Sequence, residues 1–221
     1  MTPLFPTLVA VVGGYLAGSM PFGYWVVRVA KRVDVRTVGS GNIGATNVWR
    51  TYGRWYGVPV VLLDVAKGFV PAFVATVTVS HVAGIAAGAA AMLGHWRPLF
   101  LKFEKGGKMV ATCGGAFFGV APLVAVIGGL TWIAVFLLSR YASLASIAAA
   151  IALPVGAFAI GEPWSVRIFA AAACAGVIFL HRANLRRLRA GTESRFQLRR
   201  RRPTPPATLR ASSGAPPGRP S

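Results

Sequence analysis

Residues 39–50, GSGNIGATNVWR, concentrate groups that hold oxyanions. Closely spaced glycines (Gly39, Gly41, Gly44) let consecutive backbone N–H groups converge on one concavity, an anion nest. Ser40, Asn42, Thr46 and Asn47 add neutral donors, and Arg50 adds a planar fork suited to phosphate. The pattern G-x-x-x-x-G-K-[ST] of a nucleotide-binding loop is absent. Taken alone, the segment also reads as a flexible glycine-rich connection.

Three further segments carry similar chemistry. GHWRPLFLKFEKGGKMVAT (94–112) sets Lys105 and Lys108 around Gly106 and Gly107, just ahead of an expected helix start, a favourable place for phosphate. His95 reads there as an interfacial residue. SRYASLASI (139–147) places Ser143 and Ser146 one turn apart, a spacing that otherwise serves helix packing. HRANLRRLRAGTES (181–194) puts His181 and Asn184 on one helix face, while its arginines double as membrane-surface anchors.

The elements that must position these groups are read from composition. Of 221 residues, 55% are hydrophobic and only 13% charged, whereas a soluble domain has about a quarter charged. Uncharged runs at 4–27, 109–139 and 141–161 are each long enough to cross a bilayer, which takes about 20 apolar residues. No basic segment precedes the first run, which argues against a signal peptide. Cys113 and Cys174 lie in apolar runs and read as small hydrophobes, with no disulfide or metal framework.

The net charge of +19 is placed for a membrane rather than for nucleic acid. Of 24 Lys and Arg, 11 lie at or beyond Arg182, and most others cluster between apolar runs. The positive-inside rule then orders the passes. Spans are expected at about 4–27, 56–79 and 82–98, two short passes within 109–139, and spans at 142–160 and 164–181. Gly114, Gly115, Gly119 and Pro122 break the 109–139 run, which returns Arg140 to the cytoplasm. The expectation is an all-α integral membrane protein of seven helices, some short, with its N-terminus outside and its C-terminus cytoplasmic. Asp64 and Lys67 share a face of the second span and are expected to pair. A membrane domain is expected over 1–195. The Arg/Pro-rich segment 196–221, with RRRR at 199–202, is expected to be disordered and drawn to anionic lipid.

All four polar segments then face one interface. Their shared ligand carries phosphate, and an acyl chain between the spans would explain why a phosphate site lies in a membrane.

SGNIGATNVWR, DVAKGFVPA, GHWRPLFLKFEKGGKMVAT, RYASLASI and HRANLRRLRAGTE, in that order, resemble the signatures of the bacterial acyl-phosphate:glycerol-3-phosphate acyltransferases, the PlsY type. The resemblance covers about residues 4–195. It implies a seven-span enzyme with a cytoplasmic-side site. Such an enzyme moves a fatty acyl group from acyl phosphate to the 1-hydroxyl of glycerol 3-phosphate, the first acylation of phospholipid synthesis. It also implies residence in the bacterial inner membrane. Ser40, Asn42, Arg50, Lys108 and His181 match catalytic positions. Asn184 and Ser143 match further site positions, and Gly41, Gly44, Thr46, Asn47, Lys105, Gly106 and Gly107, read from their residue types, are expected with them to bind substrate. The usual FKGGKGVAT reads FEKGGKMVAT here, adding Glu104 and placing Met109 where glycine is usual.

No His has an acid at the position used by His–Asp acyltransferases, and the chain has five acidic residues in all. Catalysis is therefore expected from positioning and electrostatics, without cofactor or metal and without nucleic acid as partner. The competing class is a transporter or flippase of a phosphorylated or lipid-linked substrate. Such proteins usually carry internal repeats, and this chain shows none.

Overall fold

The computed structural model describes residues 3–196 and is all helix, turn and loop there. Ten α-helices follow one another: α1 (Leu4–Gly18), α2 (Phe22–Lys31), α3 (Ala45–Tyr52), α4 (Arg54–Thr78), α5 (His81–Trp96), α6 (Val110–Val120), α7 (Pro122–Ser139), α8 (Ala142–Ala159), α9 (Trp164–Leu180) and α10 (Arg182–Arg189). Four stretches are long and apolar enough to cross a membrane: Leu4–Lys31, α4, α7 and α8; α9 with the bent α10 makes a fifth.

Large apolar side chains lie outside, as on Leu4, Leu123 and Leu138, while Asp64, Lys67, His95, His181, Asn184 and Glu193 are buried. That inversion suits lipid as the outer solvent, because intramembrane charges must face the bundle interior. Small residues bring the backbones together. A Cβ on Gly14 or Gly18 of α1 would overlap the α5 backbone at Ala87 and Ala91, and one on Gly68 would overlap the α6 backbone at Thr112.

The first expected span is broken. Pro21 lacks the N–H that would continue the helix, so α1 ends at Gly18 and α2 restarts at Phe22. Lys67 of α4 reaches the break, its Nζ 2.8 Å from Met20 O and 2.8 Å from Asp64 Oδ1. The Asp64–Lys67 pair thus forms as expected and also caps an interrupted helix.

One end of the bundle collects the polar segments. There the C-terminal ends of α5, α7 and α9 meet the N-terminal ends of α6 and α8, together with α3 and α10. At the opposite end His81 Nε2 lies 2.8 Å from Val120 O. Cys113 and Cys174 are free thiols. Phe196, assigned from sequence to the tail, belongs to the fold: it is buried, and its amide donates to Arg140 O at 2.8 Å. The rest of the expected tail lies outside the described residues.

Candidate active site

The loop between α2 and α3 is organised by two side chains. Asp34 accepts from the Arg36 amide at 2.9 Å and pairs with its guanidinium at 2.7 Å. Arg36 also pairs with Glu104, so the additional acid of the second loop ties that loop to the first. Asn47, buried on α3, donates to Asn42 O at 2.9 Å and Val38 O at 3.1 Å, and its Oδ1 accepts from Ser40 N at 2.8 Å.

These bonds correct the nest expected here. The Ser40, Gly41 and Gly44 amides donate to Asn47 Oδ1, Val38 O and Asn42 Oδ1. Asn47 is a scaffold for the loop rather than a ligand donor, because its amide is consumed within it. Gly39 and Gly41 hold φ of +60° and +67°, the left-handed turn that glycine permits. Ser40 and Thr46 are exposed at the surface of the site.

The second loop shows the same economy. Gly106 N donates to Trp96 O and Gly107 N to His95 O, both at 2.9 Å, which satisfies carbonyls left open where α5 ends. The two amides are therefore occupied by backbone, contrary to the phosphate-cradle reading. His95 is buried rather than interfacial, and a Cβ on Gly107 would overlap its ring. The glycine pair lets the loop close on His95 and present Lys108 beyond it. Lys105 remains exposed.

Lys108 Nζ donates to Asn184 Oδ1 at 2.6 Å. Asn184 Nδ2 and Ser143 Oγ both donate to Glu193 Oε1 at 2.7 Å, and Arg187 Nε donates to Oε2 at 2.7 Å. Ser146 turns instead toward packing, bonding Ala142 O and accepting from Trp132 Nε1. Arg50 Nη2 donates to Ser194 O at 2.8 Å, while its buried Nε has no partner among the described residues. Asn42 Nδ2 reaches Gly106 O at 3.4 Å. The four polar segments thus share one connected site.

His181 Nδ1 lies 2.8 Å from Val177 O. A carbonyl only accepts, so Nδ1 carries the proton and the neutral ring leaves the Nε2 lone pair available.

Charge follows from this arrangement. Burial pushes the Lys108 ammonium down to about 8; Glu193 opposes the shift, and Arg187, Lys105 and Arg50 reinforce it. Burial alone would raise the Glu193 carboxyl, but its bonds from Asn184, Ser143 and Arg187 hold it below the usual value. Burial likewise lowers Arg50, against the pull of Glu193.

Glu193, Asp34, Arg36 and Ser194 were not among the residues expected from sequence. The signal for Glu193 was present: a lone carboxylate in an arginine-rich segment, four residues past the last helical arginine, needs partners.

Residues 8–191 match the family described as Glycerol-3-phosphate acyltransferase. The glycerol-3-phosphate acyltransferase of Aquifex aeolicus (strain VF5) is 45% identical over 191 residues, covering 86% of this chain and 98% of the relative. That of Sinorhizobium medicae (strain WSM419) is 44% identical over 190 residues, with 86% and 92% covered. Crystal structures of PlsY (YgiH), an integral membrane glycerol 3-phosphate acyltransferase, superpose in two forms. The glycerol 3-phosphate form has a TM-score of 0.83 at 44% identity, covering 86% of this chain and 96% of that one. The lysophosphatidic acid form has a TM-score of 0.80 at 42% identity, with 86% and 95% covered. The chain belongs to the glycerol-3-phosphate acyltransferase family.

Proposed function

We propose that this integral membrane acyltransferase takes its acyl group from acyl phosphate and delivers it to the 1-hydroxyl of glycerol 3-phosphate. The observation that carries the reading is the joining of Arg50, Lys108 and Asn184 in one site beside His181, with the Arg50 Nε donor unpartnered among the described residues. Relatives matched over nearly their whole length are glycerol-3-phosphate acyltransferases, and PlsY has crystal structures in a glycerol 3-phosphate form and a lysophosphatidic acid form.

Both reactants are anions. Arg50 and Lys108 gather their phosphates, with Lys105 contributing charge from the surface, and Ser40, Asn42 and Thr46 supply neutral contacts. The acyl donor is a mixed anhydride, so its carbonyl is already activated. The glycerol hydroxyl oxygen attacks that carbon with its hydrogen directed at a phosphate oxygen of the donor, beside the neutral His181 ring. The bond from carbon to the phosphate oxygen breaks, inorganic phosphate leaves, and a phosphate oxygen takes the hydroxyl proton. Glu193 does not take it; its oxygens are engaged by Asn184, Ser143 and Arg187. The residues contribute position and fixed charge.

An apolar groove of about 240 Å³ runs between α5, α9 and the start of α6. Met92, Trp96, Phe169, Gly176 and Leu180 are among its walls, and exposed Leu93 and Phe179 mark its opening toward lipid. It begins beside Lys108 and His181, where the acyl carbonyl would sit, and receives the acyl chain.

We assign seven passes, with the site at the cytoplasmic face of the bacterial inner membrane and the N-terminus outside. Lys31, Arg54, Arg97, Lys108, Arg140 and Arg182 all fall at helix ends on the site side, in keeping with the positive-inside rule. α6 is only about 16 Å long, so its pass is completed by the loops at its ends.

The donor is tested by giving purified protein glycerol 3-phosphate with either acyl phosphate or an acyl thioester. Lysophosphatidic acid is expected from acyl phosphate only; product from the thioester alone would overturn the assignment. Movement of a phosphorylated solute across vesicles without product would instead indicate a transporter.

A further inference from the structure

Met109 joins the charged site to the apolar groove. Its backbone follows Lys108 and caps α6 with φ of +66°, in the left-handed region. A residue with a Cβ sits there at a cost of roughly 1–2 kcal/mol relative to glycine. Strain retained beside a reacting centre points toward function. The side chain is buried and forms part of the groove wall.

Gly176 of α9 stands directly against the Met109 side chain in the groove wall. A Cβ added to Gly176 would meet the Met109 Cε at 3.1 Å, and among the described residues no other atom outside its own helix turn lies within 4 Å. At this level, then, the thioether is what faces α9. Gly176 lies five residues before His181, about 7 Å along the helix. The methionine therefore confronts an acyl chain about one and a half turns from its reacting carbonyl.

We propose that the Met109 side chain, set against Gly176, determines which acyl chains this enzyme accepts, by narrowing the groove near the reacting end and favouring straight chains over chains branched at that level. This rests on assigning the groove to the acyl chain. A thioether suits the task because methionine adapts to a slender chain yet still occupies the volume a branch would need. Glycine at 109, usual in the motif that the chain resembles, would leave that volume open.

The test compares acyl phosphates of one length, straight or carrying a methyl branch near the carboxyl end, by competitive kcat/KM in bilayer-reconstituted protein. Wild type favours the straight chain. Met109→Gly lowers that preference by about tenfold or more, the range a single methyl group commands in a hydrophobic pocket. Gly176→Leu, on the helix that Met109 abuts, raises it, and the Met109→Gly/Gly176→Leu pair returns it toward wild type. The two single variants sit on different helices, so loss of one to misfolding leaves the other decisive. An unchanged preference in a folded variant that still makes product overturns the role of Met109 and leaves the acyl-phosphate reading intact. Absence of product from every acyl phosphate in wild type overturns both.

Discussion

Lys108 and Asn184, 76 residues apart in sequence, meet at 2.6 Å across the site, Nζ donating to Oδ1. The contact joins the glycine–lysine loop to the helix leaving α9, and Asn184 in turn holds Glu193. An ammonium fixed in this way stays poised for a substrate phosphate without searching rotamers.

The Lys108 ammonium, brought down to about 8 chiefly by burial, sets a pH dependence. Its protonated form binds anions, so kcat/KM holds below about pH 8 and declines as pH rises through that value. Lys108→Arg moves the decline to higher pH, because guanidinium stays charged. A wild-type profile flat from pH 7 to 10 would exclude Lys108 as the charged ligand.

Arg50 presents a fork, with Nη2 on Ser194 O and a buried Nε without a partner among the described residues. Arg50→Lys keeps the charge and loses the second contact. Steady-state kinetics are expected to show kcat/KM reduced by about 10²-fold or more, the scale of removing one preorganised donor. Near-normal turnover would remove Arg50 from the site.

Glu193 organises the site rather than reacting in it. Glu193→Ala leaves the donors of Asn184, Ser143 and Arg187 without a partner, at about 1–3 kcal/mol. Thermal unfolding in detergent should show a lowered Tm, with Glu193→Gln, which keeps one acceptor oxygen, falling less. The carboxyl is held below its unfolded value. Its contribution to stability is therefore present above that ordinary value and is lost as pH falls through the lowered one. Equal Tm for both variants and wild type would deny the network a structural role.

The helix limits were largely legible. Expected spans at 56–79, 142–160 and 164–181 correspond to α4, α8 and α9 within about two residues, because long apolar runs bounded by charge leave few other solutions in lipid. The break at Ser19–Pro21 was hidden, since its compensation comes from Lys67 on another helix. The meeting of Arg50, Lys108 and Asn184 at one end of the bundle was legible, because their residue types suit a shared anionic ligand. It was illegible where a residue's function is exhausted inside the fold. Asn47 and Gly107 carry the composition of a ligand loop and spend it on backbone and on His95. Only the folded arrangement separates those uses.

Carboxylate placement gives a further expectation. Asp34 and Glu104 are taken by Arg36, Asp64 by Lys67, and Glu193 by its three donors. These acids are too dispersed to hold Mg²⁺ together. Turnover should survive a chelator within about twofold, whereas abolition with rescue by added metal would require a cation in the reaction.

The most direct measurement follows phosphorus in bilayer-reconstituted protein given acyl phosphate and glycerol 3-phosphate. Inorganic phosphate and lysophosphatidic acid should appear one for one, with both rates falling together in Lys108→Ala. Phosphate release unchanged by omitting glycerol 3-phosphate, or acylated product without phosphate, would contradict direct transfer between two anions held in this site.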